Sequence, residues 1–478
     1  MFTRDMKDSD FPGRSALYLF QSFNALSYSI VLGSPIVLFT TWLGGGSEAV
    51  GMVTAIMPFL TIMQIPSTKY IPKWGYRRVM LAGWTARTMM LLGIVFLPFF
   101  REIWSSTLLI GTLVFCLFSW SFLRGMTNAS WLPWIRALVP EERRGRYFAG
   151  EQRYIQLMTL IILIFSGVIL GREPNAWRFS LLFLISFATG ISSLRFLSRI
   201  PSPPVPKEEH IKDSLLKTIL EVLRHKNYRQ FLYFALIWTV ANAGFDAFSV
   251  LFLKREAGLT ERAILWLGAV GSVGMISVLF FAGGFSDKWG SRPVMKICLG
   301  GTVVCQLVWV FLAQGYFPIS PPVMIPLYLV FGCVRATIWI ANWRLTLISV
   351  PRSASMVALA LYSTSSGILA GATPLAWGFV LDRIPVNFLS PFGYYFLFAA
   401  LLNLLAFLIL MRVQEDNAKH TLNVALALFQ QPMRSILQMI GYSPKSEETA
   451  GNNGSYPERA LDAADTRAEK SDNCSGRS

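Results

Sequence analysis

The sequence predicts an all-α membrane protein in which twelve transmembrane helices form two pseudo-symmetric six-helix bundles. Three observations predict this: composition, the number of long apolar runs, and an internal repeat. Apolar residues make up 53% of the 478 and charged residues only 15%, against ~25% charged in soluble domains. Mean hydropathy is +0.48. These values exclude a disordered chain, a coiled coil and an ordinary soluble enzyme.

A spanning helix needs ~20 mostly apolar residues. Twelve such runs lie near 16–42, 49–67, 79–99, 106–130, 152–171, 179–198, 230–253, 262–284, 294–314, 323–349, 354–380 and 391–411. The fourth has no clear end before Arg136, and the eleventh, which holds Pro374, is the weakest by hydropathy. The start, residues 1–15, is polar and charged, and no removable signal peptide is expected. Residues 16–198 and 230–412 are the two bundles. Between them, 199–229 is a Pro-rich linker followed by an amphipathic helix with Ile211, Leu215, Leu216, Ile219, Leu220 and Leu223 on one face. Residues 413–478 form a tail, amphipathic over 420–441 and then disordered by composition.

The net charge of +16 does not point to nucleic acid, because Lys and Arg are spread over short segments between the apolar runs. With the N-terminus inside, 25 Lys and Arg precede the tail on the cytoplasmic side and 7 lie outside. This positive-inside bias puts both termini in the cytoplasm, with the plasma (inner) membrane as the expected location. Three arginines remain within the runs: Arg87, Arg124 and Arg335. Five Cys show neither metal spacing nor a disulfide framework, and the three His lie in cytoplasmic segments. No cofactor, metal or enzymatic activity is expected.

The halves repeat. Lys73-Trp74-Gly75-Tyr76-Arg77-Arg78-Val79-Met80 and Lys288-Trp289-Gly290-Ser291-Arg292-Pro293-Val294-Met295 match at six of eight positions, offset by 215. Arg124 precedes Val139-Pro140 at the spacing by which Arg335 precedes Val350-Pro351, offset by 211. Two repeats related by an axis along the membrane normal are a transporter architecture.

Residues Gly283 to Arg292, with Gly283, Asp287, Lys288, Gly290 and Arg292 at the key positions, resemble the loop signature of the major facilitator superfamily. The segment Pro140 to Arg146 is similar to that family's fourth–fifth loop, and the resemblance covers roughly residues 15–412. The first-half copy keeps Lys73, Gly75 and Arg77 but has Pro72 in place of the Asp and Thr68 in place of the Gly. The resemblance implies a cytoplasmic latch at Asp287. The bland alternative is that these cations only enforce orientation, and Lys73 and Arg77 can pair with Glu141 or Glu142.

A charge at mid-bilayer costs about 2.5–3.5 kcal/mol even on lenient insertion scales. The spacing to Pro140 and Pro351 puts Arg124 and Arg335 near mid-membrane. The resemblance implies that the first, fourth, seventh and tenth spans line a central cavity with these two arginines facing each other. At helical spacing, Trp120, Asn128 and Trp131 accompany Arg124, and Trp339 and Asn342 accompany Arg335. Two guanidinium groups suit a carboxylate or phosphate; internal ion pairing and snorkelling to an interface are the other readings. Asp246, one turn from Asn242, is a candidate proton-coupling group, a neutraliser of the arginines, or an outer-interface residue paired with Lys254 or Arg255. Gln21 and Asn24 are candidate cavity lining or simply helix–helix hydrogen bonds. Arg87 is read as structural or as snorkelling to the cytoplasmic interface. The expected function is a monomeric secondary carrier of a small organic anion, working by alternating access as a proton symporter. A sugar or other neutral-solute carrier, a drug exporter, and a transporter-like sensor or scaffold follow in that order.

Overall fold

The computed structural model describes residues 11–67, 70–204, 215–279, 291–351, 355–385 and 388–413. Among these, twelve helical segments are long and apolar enough to cross a membrane: Arg14–Trp42, Ser47–Ser67, Tyr76–Phe100, Ser106–Leu138, Tyr147–Leu170, Ala176–Leu197, Lys226–Arg255, Glu261–Leu279, Ser291–Ala313, Pro321–Thr346, Val357–Leu381 and Pro391–Leu410. They are called the first to twelfth spans below, and all belong to one compact unit, Met1–Ala425. Each falls on one of the apolar runs, because in lipid the backbone must satisfy its own hydrogen bonds, and a helix does so within one segment. Alternation of twelve spans puts Phe11 and Val413 on one side, here the terminal side; the other is the distal side.

Local chemistry sets the ends. Ser390 accepts from the Gly393 N–H at 3.1 Å, Asn175 from the Arg178 N–H at 3.0 Å, and Pro321 and Pro391 occupy first helical positions, where a missing N–H costs nothing. The fourth span continues beyond its apolar run as a second helix, Trp131–Leu138, after a turn at Ala129 and Ser130. Of the amphipathic helix in the linker, Leu215–Arg224 is helical; Ile211 and the tail from 414 on lie outside the described residues.

The first and seventh spans are broken at equivalent places. The first divides at Gly33 into Arg14–Leu32 and Ser34–Trp42, and the seventh at Ala243 and Gly244 into Lys226–Asn242 and Phe245–Arg255. Gly33 and Gly244 are offset by 211, the spacing of Arg124 and Arg335. Gly244 has φ 79°, a left-handed conformation open to glycine. The Tyr395 hydroxyl donates to the Ala243 carbonyl at 3.2 Å, so the interruption does not leave that oxygen unpaired.

Small residues let helices meet closely, as membrane packing favours. A Cβ on Gly332 of the tenth span would lie 2.1 Å from the Gly271 carbonyl oxygen of the eighth. A Cβ on Gly51 of the second span would lie 2.4 Å from the Pro374 carbonyl oxygen of the eleventh, joining the two bundles. Gly300, by contrast, has nothing within 4 Å. Overpacking such contacts costs about 1–3 kcal/mol. Gly332→Leu is therefore expected to lower the thermal unfolding temperature of purified protein, while Gly300→Leu leaves it unchanged.

Candidate functional site

A cavity lies between the bundles in two adjoining compartments of about 610 and 710 Å³. Tyr28, Gln156, Asn242, Arg335 and Trp339 line both. Gln21, Asn24, Arg124, Asn128 and Trp131 line the first compartment, and Asp246 the second. The first, fourth, seventh and tenth spans thus supply most of the residues singled out in the sequence, and Arg124 and Arg335 reach the same space.

Their partners differ. Arg335 Nη1 donates to Asp246 Oδ1, and Asp246 stands in the first turn of the second half of the seventh span. A carboxylate at that helix start also meets the positive end of the helix dipole. The neighbouring charges are taken: Lys254 pairs with Glu261 at 2.5 Å and Arg255 with Asp382 at 2.6 Å. The Arg124 side chain has no ion pair or hydrogen bond among the described residues. It is the uncompensated cation of the cavity.

Two of the predicted lining residues face elsewhere. Trp120 is 1% exposed and stacks on Arg87, whose guanidinium carbon lies 4.7 Å from its ring centre and 4.1 Å from that of Trp84. The two rings hold the Arg87 cation between them. Asn342 is buried and donates to the Tyr362 hydroxyl at 3.0 Å, tying the tenth span to the eleventh. Asn242 lines the cavity and also donates to Asn403 Oδ1 at 3.1 Å; Asn403 in turn donates to Gln306 at 2.9 Å. Trp339, half exposed into the cavity, meets Trp343 edge-on at 6.0 Å.

The sequence reading passed over Glu151, Gln152, Gln156, Tyr28 and Trp238. Gln152 and Gln156 sit one turn apart at the start of the fifth apolar run, a polar stripe that was visible. Glu151 is buried and accepts from Gln21 Nε2 and from the Tyr147 hydroxyl at 3.4 Å. Of the loop signature, Gly283, Asp287, Lys288 and Gly290 lie outside the described residues. Arg292 donates to the Met411 carbonyl at the end of the twelfth span, Gly75 takes φ 77° between two helices, and Lys73 and Arg77 are exposed.

On the distal side the bundles are hydrogen-bonded together. Asp382, at the end of the eleventh span, accepts from the Ser47 N–H at 3.1 Å and its hydroxyl at 3.0 Å. Ser47 opens the second span, so the carboxylate also meets a helix N-terminus. The Arg262 N–H donates to the Gly171 carbonyl at 3.3 Å, linking the fifth and eighth spans.

The Major Facilitator Superfamily profile matches residues 17–374 and 258–444. The chain belongs to that superfamily and is a membrane transporter of its fold. Among solved structures it resembles a mutant of the nucleoside transporter NupG (13% identity, TM-score 0.65, covering 84% of this chain and 99% of that one). It also resembles a peptide transporter POT mutant in complex with sulfate (13%, 0.62, 85% and 97%). A third is a bacterial homologue of the iron transporter ferroportin in an inward-facing state (15%, 0.60, 83% and 96%). At these identities the likeness shows the fold alone. No curated protein matches the chain.

Asp382→Asn removes the charge on which Ser47 and Arg255 converge. Spin labels at Glu102 and Phe388, in distal loops of opposite bundles, are expected to give a longer and broader distance distribution in this variant than in the otherwise unaltered protein.

Proposed function

We propose that the protein is a secondary carrier of small organic anions that works by alternating access, with proton symport. The observation that carries this is the Arg124 guanidinium: it lies in the central cavity without an ion-pair partner among the described residues. An uncompensated charge at that depth is costly, and an anionic substrate is the partner that removes the cost. Trp131, Trp238 and Trp339 provide flat apolar faces for the organic body, and Asn128, Gln152 and Gln156 supply hydrogen bonds. The first compartment lies toward the terminal side, and the positive-inside bias makes that side the cytoplasm of a plasma (inner) membrane. A single chain encloses the whole cavity, which favours a monomer.

Coupling is assigned to Asp246 and Arg335, with Asn242 beside them. While Asp246 is ionised, it holds Arg335. Once Asp246 takes a proton, Arg335 is released to join Arg124 on the substrate. Protons and anions therefore load together, and an inward proton gradient drives uptake. The amide and tryptophan lining also favours a second reading, a neutral hydrogen-bonding solute such as a sugar, for which Arg124 would be dispensable.

The test is uptake of labelled organic anions into proteoliposomes. Charge-assisted hydrogen bonds contribute about 1.5–3 kcal/mol, so Arg124→Ala is expected to weaken substrate affinity by roughly 10- to 100-fold. Retained anion uptake in this variant rejects the anion site. Asp246→Asn is expected to abolish stimulation by an imposed inward proton gradient, measured in the same vesicles.

A further inference from the structure

Beneath the cavity wall of the first span runs a line of buried polar side chains that the transport reading does not use. Arg87 of the third span, 2% exposed, donates through Nη2 to Asn24 Oδ1. Asn24 Nδ2 donates to Gln21 Oε1 at 3.3 Å. Gln21 Nε2 donates to Glu151 Oε1 on the fifth span, 5% exposed, and the Tyr147 hydroxyl donates to the same oxygen. A guanidinium has N–H donors and no acceptor; an ionised carboxylate has acceptors only. The Arg87 end therefore sets one direction for every hydrogen bond on to Glu151, and neither amide can flip without breaking a bond at a buried end.

That direction has a consequence in the cavity, because Gln21 and Asn24 both line it. Each amide has its oxygen turned toward a donor within the chain and one N–H spent inside it. The second N–H of each has no partner among the described residues. We infer that Arg87, Asn24, Gln21 and Glu151 act as one charge-terminated hydrogen-bond chain, which fixes the first-span wall as a pair of donors and so selects substrates presenting an acceptor, a carboxylate or a carbonyl, on that side. Arg87 and Glu151 are positioning residues; Gln21 and Asn24 are the ones that would touch the substrate. This deepens the anion reading and rests on the same cavity, but it predicts a preference that Arg124 alone does not give, because a neutral carbonyl suffices.

Two measurements test it, both on the full chain purified in detergent. The first needs no ligand: melting temperatures of Arg87→Met, Glu151→Gln and the double variant. Removing one end leaves the other charge buried without its counterpart, whereas removing both leaves a neutral chain. The double variant is expected to melt no lower than the worse single; fully additive losses overturn the chain. Arg87→Gln, which also removes the charge, replaces Arg87→Met if that variant is not recovered folded.

The second measurement is binding of benzoate and benzamide, whose ring suits the tryptophan faces and whose head groups are an anionic and a neutral acceptor. Gln21→Leu is expected to weaken both by about tenfold, the worth of one well-placed hydrogen bond. Arg124→Ala is expected to weaken benzoate alone. If Gln21→Leu leaves both affinities unchanged, or if neither probe binds the unaltered protein, the donor wall is overturned. If benzamide binds and responds to Gln21→Leu while benzoate ignores Arg124→Ala, the donor wall stands and the anion reading falls.

Discussion

Charge placed inside membrane-spanning helices is the constraint on which the rest of this structure depends. Apart from the cavity, the interior offers no solvent, so each buried ion must find a counter-ion, an aromatic face, a hydrogen-bonding chain or a ligand. The protein uses a different answer for each of its three intramembrane arginines. Arg335 takes a carboxylate, Asp246. Arg87 takes two indole faces and an amide that leads to Glu151. Arg124 is left to the cavity. That difference turns a duplicated scaffold into a site with a direction: two arginines at equivalent positions are chemically inequivalent.

The duplication itself explains how the cavity is built. Both halves interrupt their first helix at the same place, at Gly33 and Gly244. The interruption ends one half-helix and starts another at the depth of the arginines, which gives Asp246 a helix start to occupy. A continuous helix would turn its polar backbone groups inward on themselves. The broken one presents a positive helix end to a carboxylate, within a cavity where irregular backbone is tolerated. Distal closure obeys the same rule, with Asp382 against the first turn of the second span.

Much of this was legible along the chain. Twelve apolar runs gave twelve spans, because run length against bilayer thickness is a local property. The place of Arg124 and Arg335 within the fourth and tenth spans followed from the apolar runs that hold them. Glu151 was not legible. It stands in the charged stretch Glu141 to Arg153, where it reads as one more interfacial acid; the helix Glu141–Leu170 carries it inward against Gln21. Helical spacing places Trp120 beside Arg124, but its indole is taken by Arg87 of the third span. Asn342 lies nearly on the Arg335 face but is drawn to the Tyr362 hydroxyl of the eleventh span.

The sequence by itself determined the class, the number of spans, the repeat and which spans carry the arginines, because each of these follows from hydropathy and counting along the chain. Only the tertiary structure decided which cation is paired. Pairing depends on which helix faces which, and helix rotation is set by packing among small residues such as Gly51, Gly271 and Gly332. The seventh span's Asp246 meets the tenth span's Arg335, the third span's Arg87 meets the first span's Asn24, and Arg124 meets open space. No arithmetic on the chain distinguishes these three outcomes, because they are decided by contacts between residues dozens of positions apart.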